Sequence, residues 1–188
     1  MDTIIYMIRH AESPFVFGQE RTRKLSNQGE IDAKKVTAIM DVKEIDLVIS
    51  SPYTRAIQTI EGIVDSKNIE VKVFEELRER KLKGAYQLPA EEIQQAIKKS
   101  YEDIDFNLSG GESVRDVQNR AIPIIKELLN NYKTKTIIIG THGNVMTIIM
   151  NYFNKEYGYD FWKNTSKPDI YKLVFLDEKL QLVQRIWE

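Results

Sequence analysis

The chain has no cysteine, which removes thiol chemistry at once: no disulfide framework, no thiolate metal site, no cysteine nucleophile. A cysteine-free sequence suits a reducing compartment, and a cytoplasmic location is the expectation. Long apolar runs are also missing. Ile4-Ile5-Tyr6-Met7-Ile8 is too short for a membrane span or a signal segment and has no basic residue ahead of it, so it reads as a buried strand, and no membrane partner is expected. Nor does one sign of charge dominate. Against 28 acidic side chains stand 27 basic ones, a formal net of -1, with no basic stripe of the kind that tracks a nucleic-acid backbone, so no nucleic-acid partner is expected. A small anionic ligand stays open, because two or three arginines brought together suffice to hold one. No heptad pattern occurs, and the sequence sets no oligomeric state.

What the chain does contain is 188 residues, 42% of them hydrophobic, enough for one domain spanning 1–188 around its own core. Short β-branched runs alternate with stretches of helical period, the pattern of an α/β three-layer sandwich: a mostly parallel mixed sheet with helices on both faces. Strands are expected at about 3–9, 46–50, 70–74, 136–141, 170–176 and 180–186, and helices at about 27–40, 53–65, 90–101, 114–131 and 144–153. The last two strands, joined through Asp177-Glu178-Lys179, read as an antiparallel hairpin at the edge of the sheet. Ser113 with Asp116 three residues on makes a capping box for the fourth helix, inside which Pro123 predicts a kink or a break. Ser51-Pro52 reads as an N-cap followed by proline at the first helical position, starting the helix that carries Arg55. The polar stretch at about 81–110, closed by Ser109-Gly110-Gly111, is expected as a small cap insertion that holds specificity over the strand C-termini. Within it Tyr86 and Phe106, and ahead of it Phe15 and Phe17, are candidates for an aromatic rim or for ordinary packing.

Only two histidines occur, and each stands just after a strong strand: Arg9-His10 after Ile4–Ile8, and His142-Gly143 after Ile137-Ile138-Ile139-Gly140-Thr141. Ser50-Ser51-Pro52-Tyr53-Thr54-Arg55 follows Leu47-Val48-Ile49 in the same way. If those strands are parallel neighbours, both imidazoles and two arginines gather at the carboxyl edge of the sheet, where open α/β sheets bind ligands. Guanidinium forks and a helix N-terminus suit a dianionic phosphate. A neutral imidazole nitrogen can attack phosphorus while cations stabilise the equatorial oxygens. A lone histidine would more simply satisfy a core hydrogen bond, but two with the same placement and anion-binding neighbours argue for a shared site. Two histidines and a carboxylate could hold zinc; Arg9 and Arg55 oppose a cation, so no metal and no cofactor is expected.

These segments, in this order, resemble the histidine phosphatase superfamily, the group that includes cofactor-dependent phosphoglycerate mutases. Arg9-His10-Ala11-Glu12-Ser13 is similar to its Arg-His-Gly motif, Ser50 to Thr59 to its second-arginine motif, and Thr141-His142-Gly143 to its second-histidine motif. Leu77-Arg78-Glu79-Arg80 resembles the segment with the proton-donating glutamate, and Gly110-Gly111-Glu112-Ser113 the start of a characteristic helix. The resemblance implies that His10 becomes phosphorylated, that Arg9, Arg55 and His142 hold phosphoryl oxygens with Ser13 and Gly143 as further contacts, and that Glu79 protonates the departing alcohol. Glu76 is the rival acid; alignment on Leu77 favours Glu79. Two departures stand out: Ala11 replaces a glycine, harmless if φ is negative there, and Val16 replaces an asparagine, losing a hydrogen bond to phosphate or substrate. A short insertion after the glutamate, with Lys81, Lys83, Lys98 and Lys99 but no arginine pair and with several acidic residues, favours hydrolysis of a small phosphomonoester. Mutase-type transfer and a non-catalytic phospho-ligand module are the alternatives.

Overall fold

The computed structural model describes residues 2–188. Among these residues six strands and six helices follow one another: β1 (Thr3–Arg9), α1 (Asn27–Asp41), β2 (Leu47–Ser50), α2 (Thr54–Lys67), β3 (Val71–Val73), α3 (Ala90–Glu102), α4 (Val114–Asn131), β4 (Thr136–Thr141), α5 (Gly143–Phe153), α6 (Tyr159–Lys163), β5 (Asp169–Leu176) and β6 (Lys179–Arg185), with a 3-10 turn at Glu75–Leu77. The strands form one sheet in the order β3-β2-β4-β1-β5-β6. β1, β2, β3 and β4 are mutually parallel, and β5 and β6 close the edge as an antiparallel hairpin.

The central strands are apolar at nearly every position because both of their faces are covered. Alternate side chains go to opposite layers. Ile5 and Met7 of β1, Ile49 of β2 and Ile137 and Ile139 of β4 pack with Val117, Ile125, Ile148 and Ile149 of α4 and α5. Tyr6, Ile8, Val48 and Ile138 point the other way, to Val36 and Met40 of α1 and Ile60 and Ile63 of α2. Each isoleucine or valine fully withdrawn from water contributes about 1.5–3 kcal/mol, so these two layers dominate the stability of the fold.

One local expectation is corrected, and a second, a kink or a break at Pro123, loses its second alternative. The second helix does not start at Ser51: its N-cap is Tyr53, which makes no side-chain cap, and helical geometry begins at Thr54. Ser51 Oγ instead accepts from the Tyr53 amide at 3.2 Å and meets a ring nitrogen of His142. The α4 helix, capped by the reciprocal Ser113–Asp116 box, runs through Pro123 without a break. Pro123 and Asn119, whose carbonyl the proline leaves without its helical donor, both lie on the exposed face, so water can complete the missing bond. Two short elements, α6 and the 3-10 turn, had no sequence signal of the strength the long helices carry. The stretch at 81–110 holds α3 and no strand. No helix among the described residues is long and apolar enough to cross a membrane.

Candidate active site

Strand register brings the two histidines together. Ile8 pairs with Gly140 and Arg9 with Thr141 across the parallel β1–β4 ladder, so the next residue on each strand is His10 and His142. Ser50 lies opposite Gly140 on the other side of β4, which places Ser51 and the start of α2 beside them. The rings of His10 and His142 lie edge to face, 5.2 Å between centroids. Both are buried.

His10 Nδ1 is 2.7 Å from the carbonyl of Ala11. A carbonyl can only accept, so the ring proton sits on Nδ1 and Nε2 carries the lone pair. Burial, and after it the positive charge of Arg55, holds the His10 pKa well below the usual histidine range, which keeps the ring neutral. Burial, then the neighbouring His10 and Arg55, does the same to His142. His142 Nε2 is 2.7 Å from Ser51 Oγ; its Nδ1 is buried without a partner. The Tyr53 ring stands edge-on to His142 at 5.1 Å. Ala11 has no positive φ, and its amide donates to Thr59 Oγ1 at 3.0 Å, so the backbone there accepts alanine without strain.

Arg9 and Arg55 are both buried, with the two histidines within reach of their charge. Arg9 Nη1 donates to the carbonyl and hydroxyl oxygens of Thr165, and Arg55 Nη1 to the Glu20 carbonyl. The Nε of each is buried with no partner. Burial lowers both pKa values, yet a guanidinium stays charged in proteins. Gly143 opens α5 directly over Arg9: a Cβ there would come within 2.8 Å of the guanidinium carbon, so glycine makes room for the arginine. Ser13 lies near, but its hydroxyl donates to the Lys24 carbonyl at 2.7 Å and so ties the loop after β1 to itself.

Glu79 arrives from the segment after the 3-10 turn and occupies the N-terminus of α5. Its carboxylate accepts from the amides of Val145 at 3.0 Å, Asn144 at 3.2 Å and Arg80 at 2.7 Å. Those amides fix the position of the carboxyl group at the mouth of the helix. Glu76 is exposed, and only its carbonyl is used, as an acceptor from Arg120. Glu112 fastens the acid-bearing segment: its two oxygens accept from Arg78 at 3.0 Å, from Arg120 at 2.7 and 3.0 Å and from the Lys81 amide at 2.9 Å.

Sequence reasoning missed four groups at this edge. Ser51 is legible as part of a motif but reads there as a helix cap. Tyr53 lies in the same motif with no signal of its own. Arg23, with both histidines within reach of its charge, had as its signal only the basic run Arg21-Thr22-Arg23-Lys24. Lys167 had none: it reaches the site through the loop before β5, more than 150 residues from Arg9 in the chain. Partial desolvation of its ammonium, then the charges of Arg9 and Arg23, lowers its pKa, although the residue is exposed. Of the expected aromatic rim, Phe15 and Phe17 are exposed on the loop after β1. Tyr86 and Phe106 are engaged inside the insertion, under Lys83 and Lys99 at 4.7 and 4.2 Å.

Three kinds of comparison bear on this arrangement. A family model described as the histidine phosphatase superfamily, branch 1, matches residues 5–187. Phosphoserine phosphatase 1 of Hydrogenobacter thermophilus is 22% identical over 194 residues, covering 97% of this chain and 90% of that one. Among solved structures, a mycobacterial glucosyl-3-phosphoglycerate phosphatase superposes with a TM-score of 0.77 at 20% identity, over 98% of this chain and 97% of that one. A variant of Entamoeba histolytica phosphoserine phosphatase in complex with phosphoserine superposes at 0.79 with 21% identity, over 97% and 96%.

Proposed function

The chain belongs to the histidine phosphatase superfamily, branch 1, and from that premise we propose that it hydrolyses a small organic phosphomonoester through a phosphohistidine on His10. One observation carries the reading: the Ala11 carbonyl holds the proton of His10 on Nδ1 and so leaves Nε2 bare in a neutral ring, the form a nucleophile needs. In the first step Nε2 forms a bond to phosphorus as the ester P–O bond breaks, and Glu79 gives a proton to the leaving oxygen. In the second, water attacks the phosphohistidine, Glu79 takes its proton, the P–N bond breaks, and phosphate leaves with His10 restored. Such acid–base assistance is worth about 10²–10⁴-fold. Arg9 and Arg55 take the phosphoryl oxygens. If Ser51 donates its hydroxyl proton to His142 Nε2, His142 Nδ1–H becomes a third donor to them. Glu79 occupies the amides of Asn144 and Val145, so Gly143 contributes as the remaining amide at the mouth of α5. Ser13, its proton already donated, contributes through its loop.

Hydrolysis is favoured over transfer to a second substrate hydroxyl because the insertion holds no arginine and two of its lysines, Lys83 and Lys99, cover aromatic rings. The arginines that flank it, Arg78 and Arg120, are bound to Glu112. The phosphate esters named for the relatives, phosphoserine and glucosyl-3-phosphoglycerate, are small molecules of the proposed class. The test is phosphate release from a panel of such esters, with trapping of acid-labile phosphoenzyme. Wild type should turn over at least one ester and His10→Ala none. Glu79→Gln should accumulate phosphoenzyme from an aryl phosphate, whose leaving group needs no acid. Equal release by the His10 variant would remove the nucleophile from its role.

A further inference from the structure

Arg23 belongs to none of the motifs, yet its guanidinium and that of Arg55 converge on one carboxylate. Glu20 Oε2 accepts from Arg55 Nη2 at 3.2 Å and from Arg23 Nη2 at 3.5 Å, and Arg23 Nε lies 3.4 Å from Oε1. The side chains of Arg55 and Arg23 are 1% and 11% exposed and that of Glu20 is 45% exposed, so the acid enters from the solvent side onto two sequestered cations. Arg23 is held there by a second bond, from Nη1 to the Ser13 carbonyl at 2.7 Å. The Nε atoms of Arg9, Arg23 and Arg55 are all buried without a hydrogen-bond partner. Three guanidinium groups with unfilled donors, each with both histidines within reach of its charge, are an incomplete set, and an anion with several oxygens would complete it.

We propose that Arg23 is a third phosphate-holding arginine of this site and that the Glu20 carboxylate is its resting occupant, displaced from the Arg23–Arg55 pair when a phosphoryl dianion binds. The phosphatase reading supplies the nature of the anion; the pairing of Arg23 and Arg55 over Glu20 supplies the place. A carboxylate brings one negative charge and two oxygens, whereas a phosphoryl group brings two charges and three free oxygens, so the ligand outcompetes the side chain where three arginines meet. Glu20 is free to leave, because its side chain lies on a loop without helix or strand, turning at Phe17-Gly18 and again from Glu20 to Thr22, with Gly18 at φ 74°. Its carbonyl keeps Arg55 oriented after the side chain swings out. The Glu20 side chain would thus screen out singly charged anions while the site is empty. The charge of Arg23, acting with Arg9 and Arg55, also helps keep both histidines unprotonated before the ligand arrives.

The experiment is direct binding of orthovanadate and orthophosphate by calorimetry to the wild type, Glu20→Gln, Arg23→Gln and Arg23→Lys, beside turnover of the best ester. Glu20→Gln should bind vanadate about tenfold more tightly, and Arg23→Gln roughly tenfold or more weakly, with Arg23→Lys between them. An ion pair that merely fastens the loop makes the opposite demand on the first variant, since losing either partner would then loosen the site. Weaker binding by Glu20→Gln, or unchanged binding by Arg23→Gln, overturns the proposal; should Arg23→Gln fail to fold, the sign of the Glu20→Gln effect still decides it. Opposite shifts in affinity without phosphoenzyme or phosphate release would leave this subsite standing and defeat the phosphatase reading. Normal turnover without those shifts would do the reverse.

Discussion

A histidine is useful as a nucleophile only while one nitrogen is bare, and His10 is kept so by its surroundings. The Ala11 carbonyl fixes the tautomer, and burial beside arginines fixes the charge. Both histidines have folded-state pKa values below their unfolded ones, so the unfolded chain binds more protons as the pH falls through about 6.5, and stability is lost in that direction. Ring resonances followed by NMR in the free protein should therefore show neither histidine protonating until the pH is well below 6.5, and the unfolding free energy should decline as the pH drops from about 7 toward 5. Titration of either ring at or above 6.5 would contradict this account. Bound phosphate should move both titrations upward, because a dianion favours the imidazolium.

Among the elements, α5 does two things at once. Its buried length, from Gly143 to Asn151, anchors the sheet, and its N-terminus holds the carboxylate of Glu79. The segment that carries the acid is fastened by Glu112, at the mouth of α4, which gathers Arg78, Arg120 and the Lys81 amide around itself. Burial alone would raise the Glu112 pKa; the bonds from Arg120 and the Lys81 amide outweigh it and hold the group below the usual glutamate range. Its stabilisation is thus present above about pH 4.3 and lost as the pH falls through the folded value. Glu112→Gln should cost about 2–3 kcal/mol in denaturant unfolding near neutral pH, with the loss relative to wild type shrinking in acid. Turnover should fall with it, since the segment that positions Glu79 loosens. A fully active and equally stable variant would show that Glu112 fastens nothing.

For the whole molecule, the strand order decides both stability and chemistry. β4 lies between β2 and β1, and Ile138, fully buried between Tyr6 and Val48, is at the centre of the sheet. Ile138→Ala should cost about 2–5 kcal/mol, whereas Leu182→Ala on the half-exposed edge strand β6 should change unfolding by under about 1 kcal/mol. Similar losses at the two sites would mean that the sheet does not concentrate its stability at its middle. The sequence by itself determined much of this protein. A short β-branched run such as Ile137-Ile138-Ile139 reads as a strand buried on both faces, and Ser113 with Asp116 reads as a helix start. A histidine placed just after each of two such runs marks a chemical edge. These signals are local, written within a few residues of where they act. Tertiary structure alone decided the rest: that β1 and β4 are neighbours in register, that Ser51 serves His142 rather than a helix end, and that Arg23, Glu20 and Lys167 come to the same edge. Those contacts join side chains tens to more than a hundred residues apart, and no local propensity encodes them; they exist because packing the two hydrophobic layers leaves the chain one arrangement in which its loops meet.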